Sequence, residues 1–234
     1  MPREGLSIVS PPSSCPTCGN GIKPWHNIPV ISYLALRGRC AYCGAHISLR
    51  YPAVELLNAL LYVLVYEKFG ISAYSIYYMM FMSALIVITF IDIDFQIIPD
   101  DITVHGVQIG LICALFVLPE PYSHDKLLGL YGSIAGLLTG WTIFFIIIVA
   151  SKGGMGGGDL KFMGLVGATL GCKSVLMTLF IGTFTGAFYG IFLMVFMGKG
   201  RKAKIPFGPF LAFGAAISLL YGREILRVYF NQLG

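Results

Sequence analysis

Charge is what this sequence has least of. Only 12% of its 234 residues are charged and only 11 are Asp or Glu, against 56% apolar and a mean hydropathy of +0.79. Soluble domains carry about a quarter charged residues, so an ordinary soluble domain is excluded. The net charge of +5 is too modest to mark a nucleic-acid binder and reads instead as membrane topology. The opening Met-Pro-Arg-Glu-Gly-Leu-Ser has no apolar h-region behind it, so no secretory signal is expected. Internal repeats are absent, and the only low-complexity tract is the glycine run at 153–158.

What the chain does have is apolar length. Apolar stretches fall near 53–67, 72–91, 102–118, 127–150, 159–172, 174–197 and 205–221, where roughly 20 residues cross a hydrocarbon core. The expected fold class is an all-α polytopic membrane protein of about seven transmembrane helices. The first and fifth stretches are short, which implies tilting, a break at glycine or an interfacial position. Residues 1–50 are polar, carry Pro11, Pro12, Pro16 and four cysteines, and hold no run long enough to span. They read as a small extramembrane module, with 51–234 as the membrane bundle. If the seven spans alternate from a cytoplasmic 1–50, 11 of the 16 Lys and Arg residues lie in the cytoplasm and 5 outside, with the loop 198–204 contributing most. The same alternation sets Asp92 and Asp159 at cytoplasmic helix ends.

Cys15-Pro-Thr-Cys18 and Cys40-Ala-Tyr-Cys43 are two CxxC pairs separated by 21 residues. Each supplies two thiolates from one tight turn, and four thiolates complete a closed tetrahedral zinc site. Gly19 and Gly44, just after the pairs, suit such turns. A segment this short cannot build much of a core, so the metal is expected to supply folding energy. Two disulfides are the alternative, disfavoured in a reducing compartment. Cys113 and Cys172 sit in apolar stretches as small hydrophobes. His26 and His46 flank the module and stay unassigned.

Four of the 11 acids crowd into 92–101: Asp92, Asp94, Asp100 and Asp101. A fifth, Asp159, follows the glycines of 153–158. Carboxylates at a bilayer edge are kept for chemistry or for ion traffic. Asp100 and Asp101 after Pro99 read as a helix start, and Asp159 could serve as an N-cap. Asp92 closes the apolar run 84–91, too late to cap that helix, and there it opposes the macrodipole. Peptide hydrolysis by paired carboxyls needs one ionised group to take a proton from water and one protonated group to donate. Two carboxyls sharing a site resist double ionisation and titrate as a unit. Glycine beside such a group lets backbone and substrate approach closely.

These pieces resemble one family, the type IV prepilin peptidases, membrane aspartic proteases of the GxGD type. The matching segments run nearly the whole length: Pro2-Arg3; Ser7-Ile-Val-x-Pro11; Cys15-Pro-x-Cys18-Gly; Asn27-Ile-Pro-Val; Arg39-Cys40-x-x-Cys43; Tyr51-Pro-x-Val-Glu55-Leu-Leu; Ile91-Asp92-x-Asp94; Ile98-Pro99-Asp100; Gly154-Met-Gly-Gly-Gly-Asp159-Leu-Lys161; and Ile205-Pro-Phe-Gly-Pro209. The resemblance implies that Asp159 and Asp92 are the catalytic pair, with Asp94 the runner-up to Asp92. It also implies a bifunctional enzyme of the bacterial inner membrane. Such an enzyme cuts the basic leader of prepilins or type II secretion pseudopilins after a glycine on the cytoplasmic side. It then methylates the new N-terminus with S-adenosylmethionine. The four-cysteine module favours the bifunctional kind.

No Gly-rich strand-to-helix fingerprint marks an S-adenosylmethionine site. Glu55, an acid on an apolar helix, is a candidate for it beside the equal reading of a polar interhelical contact. Family members usually carry a further transmembrane helix ahead of the Pro-Arg segment, where this chain begins, so a seven-helix member or a shortened start is expected. The basic loop 198–204 is expected to meet anionic lipid headgroups. An ion-coupled transporter using the same carboxylates is the competing reading. It calls for a midplane charge relay and an inverted repeat, and neither is visible.

Overall fold

The computed structural model describes residues 14–122, 126–151, 155–197 and 205–233. The segments at 2–3 and 7–11, Lys152, Gly153 and Gly154, and the basic loop 198–204 lie outside them. Among the described residues all regular structure is helical, joined only by isolated bridges. A short 3-10 turn, Pro24–Asn27, precedes α1 (Ile31–Ala35), α2 (Arg50–Phe69), α3 (Ala73–Phe95), α4 (Asp100–Phe116), α5 (Gly129–Ala150), α6 (Gly157–Met197) and α7 (Gly208–Leu233). The chain forms two compact units, Met1–Leu61 and Tyr62–Gly234, dividing within α2.

In the first unit the two cysteine pairs fold into the same turn. Cys15 N–H donates to Asn20 O and Gly19 N–H to Cys15 O, and Cys40 N–H to Ala45 O and Gly44 N–H to Cys40 O repeat the pattern. The bridges Ser14↔Gly21 and Arg39↔His46 flank both turns at the same offsets. Gly19 and Gly44 turn back at φ 71° and 69°, a region that side chains other than glycine enter at a cost.

The second unit is the membrane body. Among the described residues four helices are long and apolar enough to cross a bilayer: α3, α5, α6 and α7. The expectation of seven spans is corrected accordingly. Helix α2 carries Glu55, Glu67 and Lys68, and α4 has only 17 residues with two acids in its first turn. The fifth and sixth expected stretches lie together in α6, whose backbone leaves helical geometry at Gly171 (φ 79°, ψ 178°). An unbroken helix of 40 residues would run about 60 Å, twice a hydrocarbon core. The break at Gly171 leaves a short piece of about 21 Å before it and a bilayer-sized piece of about 39 Å after it.

The N-terminal half of α6 is the centre of the bundle. Phe162, Met163, Val166 and Ala168 are fully buried on successive faces. Helices α4, α5 and α7 all pack on α6, and α3 packs on α7. The α5–α6 contact is made by glycine. A β-carbon on Gly136 would stand 2.2 Å from Gly167 O, one on Gly167 2.1 Å from Gly136 O, and one on Gly140 2.4 Å from Met163 O. Small residues four apart on α5 let the two backbones touch, the usual basis of helix association in lipid. Ser133 adds a hydroxyl bond to Ala168 O at 2.5 Å. This contact fixes the helix that carries Asp159.

Candidate active site and metal centre

Asp92 lies in the last turn of α3. That helix starts at a capping box between Ser72 and Ser75 and ends on Gln96, which adopts φ 54° and returns its N–H to Asp92 O at 2.9 Å. The Asp92 side chain turns inward and is 6% exposed. Its Oδ2 accepts the Gly208 N–H at 2.9 Å. Gly208 opens α7, so a helix N-terminus with its free amides and positive dipole end faces this carboxylate. A β-carbon on Gly208 would stand 2.7 Å from the same oxygen. Glycine is thus required for α7 to approach Asp92 this closely.

Asp159 lies inside the first turn of α6, beyond the cap position, with its N–H on Gly156 O at 3.2 Å. It is 9% exposed. Three helices that are distant in sequence thus carry two buried carboxyls, Asp92 and Asp159, and the Gly208 amide that holds the first of them. The glycines before Asp159 divide by role. Gly158 is pressed on Ile98, where a β-carbon would stand 3.0 Å from the Ile98 β-carbon, while Gly157 faces open space. The approach to Asp159 is thus tight on its scaffold side and clear on the other.

The remaining acids of 92–101 are placed elsewhere. Asp94, two residues from Asp92, is exposed. Asp100 and Asp101 start α4 after Pro99, as their setting predicted, and both oxygens of Asp100 take the Lys161 ammonium at 2.7 Å. Lys161 and Gly208 were quoted above within motifs but given no role. Lys161 stands two residues beyond Asp159, so its ion pair ties the first turn of α6 to the start of α4. Both partners are substantially exposed, which limits the pair to roughly 1 kcal/mol or less of stability. Its value is positional.

Glu55 is engaged within the first unit, where its Oε2 accepts the Val30 N–H at 2.9 Å. Val30 has φ 58° and ψ −48°, with Ile31 N–H on Pro29 O at 2.5 Å. That is the geometry of a γ-turn of the rare, strained kind, at a β-branched residue. Glu55 therefore clips a strained turn through one of its carboxylate oxygens.

The four thiols of Cys15, Cys18, Cys40 and Cys43 converge, with all Sγ atoms within 4.8 Å of one another. Cys15 and Cys43 Sγ stand 3.9 Å apart. A tetrahedron of ~2.3 Å Zn–S bonds has edges near 3.8 Å, so the donor set fits zinc. Cys15, Cys18, Cys40 and Cys43 are unbridged, as are Cys113 and Cys172. The backbone amides of Cys18 and Thr17 hold the Cys15 thiol down to about 6, favouring the thiolate that binds metal. Neither His26 nor His46 belongs to the cluster.

Comparison with known proteins joins the two units. Residues 1–69 match the bacterial peptidase A24 N-terminal domain, and residues 79–191 match the type IV leader peptidase family. Proteins named prepilin leader peptidase/N-methyltransferase align over almost all of the chain. That of Pseudomonas putida is 36% identical over 99% of this chain and 80% of its own length. That of Pseudomonas aeruginosa is 37% identical over 97% and 78%. That of Bacillus subtilis is 34% identical over 97% and 88%. No solved structure matches. With matching domains in both units and relatives aligned across them, the chain belongs to the type IV leader peptidase family.

Proposed function

We propose that this chain is a membrane-embedded aspartic endopeptidase that removes the leader of type IV prepilins or pseudopilins after a glycine, and that it also methylates the new N-terminus. The observation that supports the peptidase reading is the burial of both Asp92 and Asp159, with Asp92 held by the Gly208 amide. The names of the relatives support both activities and do not support the ion-coupled transporter.

In hydrolysis one carboxyl of the pair is ionised and takes a proton from water as the water oxygen attacks the scissile carbonyl. The other carboxyl is protonated and gives its proton to the departing amine as the C–N bond breaks. The Gly208 N–H holds Asp92 in one orientation throughout. Open space at Gly157 leaves room for an extended substrate backbone beside Asp159. The leader is basic and precedes a long apolar helix. That helix lies in the bilayer while the leader meets Asp92 and Asp159 at the membrane surface.

Zinc in the Cys15, Cys18, Cys40 and Cys43 site supplies folding energy to the first unit. S-adenosylmethionine supplies the methyl group of the second activity. Glu55, with one carboxylate oxygen on the Val30 N–H, remains the candidate for contact with that donor.

The test is cleavage of a purified prepilin in liposomes, with and without S-adenosylmethionine, read by mass spectrometry. Wild type cuts after the leader glycine and adds one methyl group only with the donor present. Asp159→Asn yields no cut product. Full cleavage by Asp159→Asn would refute the dyad.

A further inference from the structure

The first unit is built inside out. Helix α1 turns its polar Ser32 inward, where the buried hydroxyl donates to Trp25 O at 2.7 Å. It turns Ile31 (65% exposed) and Leu34 (70% exposed), one helical turn apart, to the outside. Trp25, tied to α1 through Ser32, is 60% exposed, and Ile28 is exposed beside it in sequence. A soluble module of this size cannot favour so much outward apolar surface without something to cover it.

The charges around that surface are mostly positive, the exception being Glu55, whose carboxylate holds the Val30 N–H between Ile28 and Ile31. No Asp or Glu occurs between residues 5 and 54, whereas Lys23, Arg37, Arg39 and Arg50 do. Lys23 stands 5.4 Å from the Trp25 ring, and Arg37 and Arg39 follow α1 directly and are exposed. A zinc ion with four thiolates contributes a formal charge of roughly −2, and with Glu55 counted the four cations leave the segment at about +1, its exposed cations Lys23, Arg37 and Arg39 lying at the rim of the apolar face. A second copy of this module, or a cationic peptide, is repelled by such a face. The surface that matches exposed apolar side chains rimmed by cations is an anionic lipid leaflet, where the apolar groups enter the acyl boundary and the cations meet the headgroups. Trp favours that boundary through its amphipathic ring. The unit is already tethered to a bilayer through α2.

We propose that the Trp25, Ile28, Ile31 and Leu34 face of the cysteine module beds into an anionic lipid leaflet, with Lys23, Arg37 and Arg39 on the headgroups. This goes beyond the peptidase reading and does not depend on it. The module is then a membrane-surface element that senses lipid charge.

The chain has two tryptophans, so Trp141→Phe leaves Trp25 as the sole reporter in the full-length, zinc-loaded protein. It is placed in nanodiscs of phosphatidylcholine alone or with phosphatidylglycerol, with and without lipid brominated high on the acyl chain. With phosphatidylglycerol, Trp25 emission shifts to the blue and bromolipid removes at least about half of it. Both effects weaken in phosphatidylcholine alone and in Arg37→Glu/Arg39→Glu, while zinc content stays at one per chain. Water-like emission untouched by bromolipid overturns the proposal. So does a blue shift without bromolipid quenching, which would assign the face to a protein contact, and so does quenching indifferent to lipid charge. If Trp141→Phe does not fold, hydrogen exchange of segment 25–37 in the unaltered protein decides. Slowing only with anionic lipid supports the proposal, and equal rates in both discs overturn it.

Discussion

A methyl group on Gly208 would press on Asp92 Oδ2 at 2.7 Å, and the carboxylate would have to rotate away from the amide that orients it. Gly208→Ala is therefore expected to leave expression and zinc content intact and to lower kcat by about 10²-fold, the scale of an ångström-sized misplacement at a reacting group. Steady-state cleavage kinetics check this, and an unchanged kcat would mean that the Gly208–Asp92 bond does not position the carboxyl. At this scale the sequence was partly legible. The acids and glycines were visible as clusters, but Asp92 and Asp94 are two residues apart and so lie about 200° apart around a helix. Only one of them can face inward, and nothing local says which. Gly208 is harder still, since its requirement comes from a side chain on a helix more than 100 residues earlier.

Helix α6 owes its position to the glycine contact with α5, and through it Asp159 owes its own. Gly136→Val would force the backbones apart from a β-carbon distance of 2.2 Å. It is expected to destabilise the bundle by about 3 kcal/mol or more, the upper range for overpacking. The readout is a lower midpoint of thermal unfolding, followed by circular dichroism in detergent. A midpoint equal to wild type would show that α5 and α6 tolerate separation. Apolar runs were legible at the element scale, and each expected stretch overlaps a helix. Their number as spans was not, because hydropathy alone cannot see that Glu67 and Lys68 end α2 in charge, or that α4 stops at 17 residues. The shortness of the fifth stretch did point to Gly171, where one long helix changes course.

For the whole molecule, the chain separates a unit with a four-cysteine cluster that fits a metal from a membrane unit that holds the carboxyls. The first was legible in detail, because two equal turns with glycine at the same place need only local sequence. The proposed pairing of Asp92 with Asp159 was not, since α3, α6 and α7 are placed only once the bundle is packed. The family resemblance, carried by motifs spread along both units, supplied what periodicity could not.

The most direct test of the central claim compares kcat for prepilin cleavage in Asp92→Asn and Asp94→Asn, each confirmed as folded. A buried dyad of Asp92 with Asp159 predicts a loss of about 10³-fold or more in Asp92→Asn, within the range that acid–base groups contribute, and a change of less than about three-fold in the exposed Asp94→Asn. The reverse order, or equal activity in both, would contradict it.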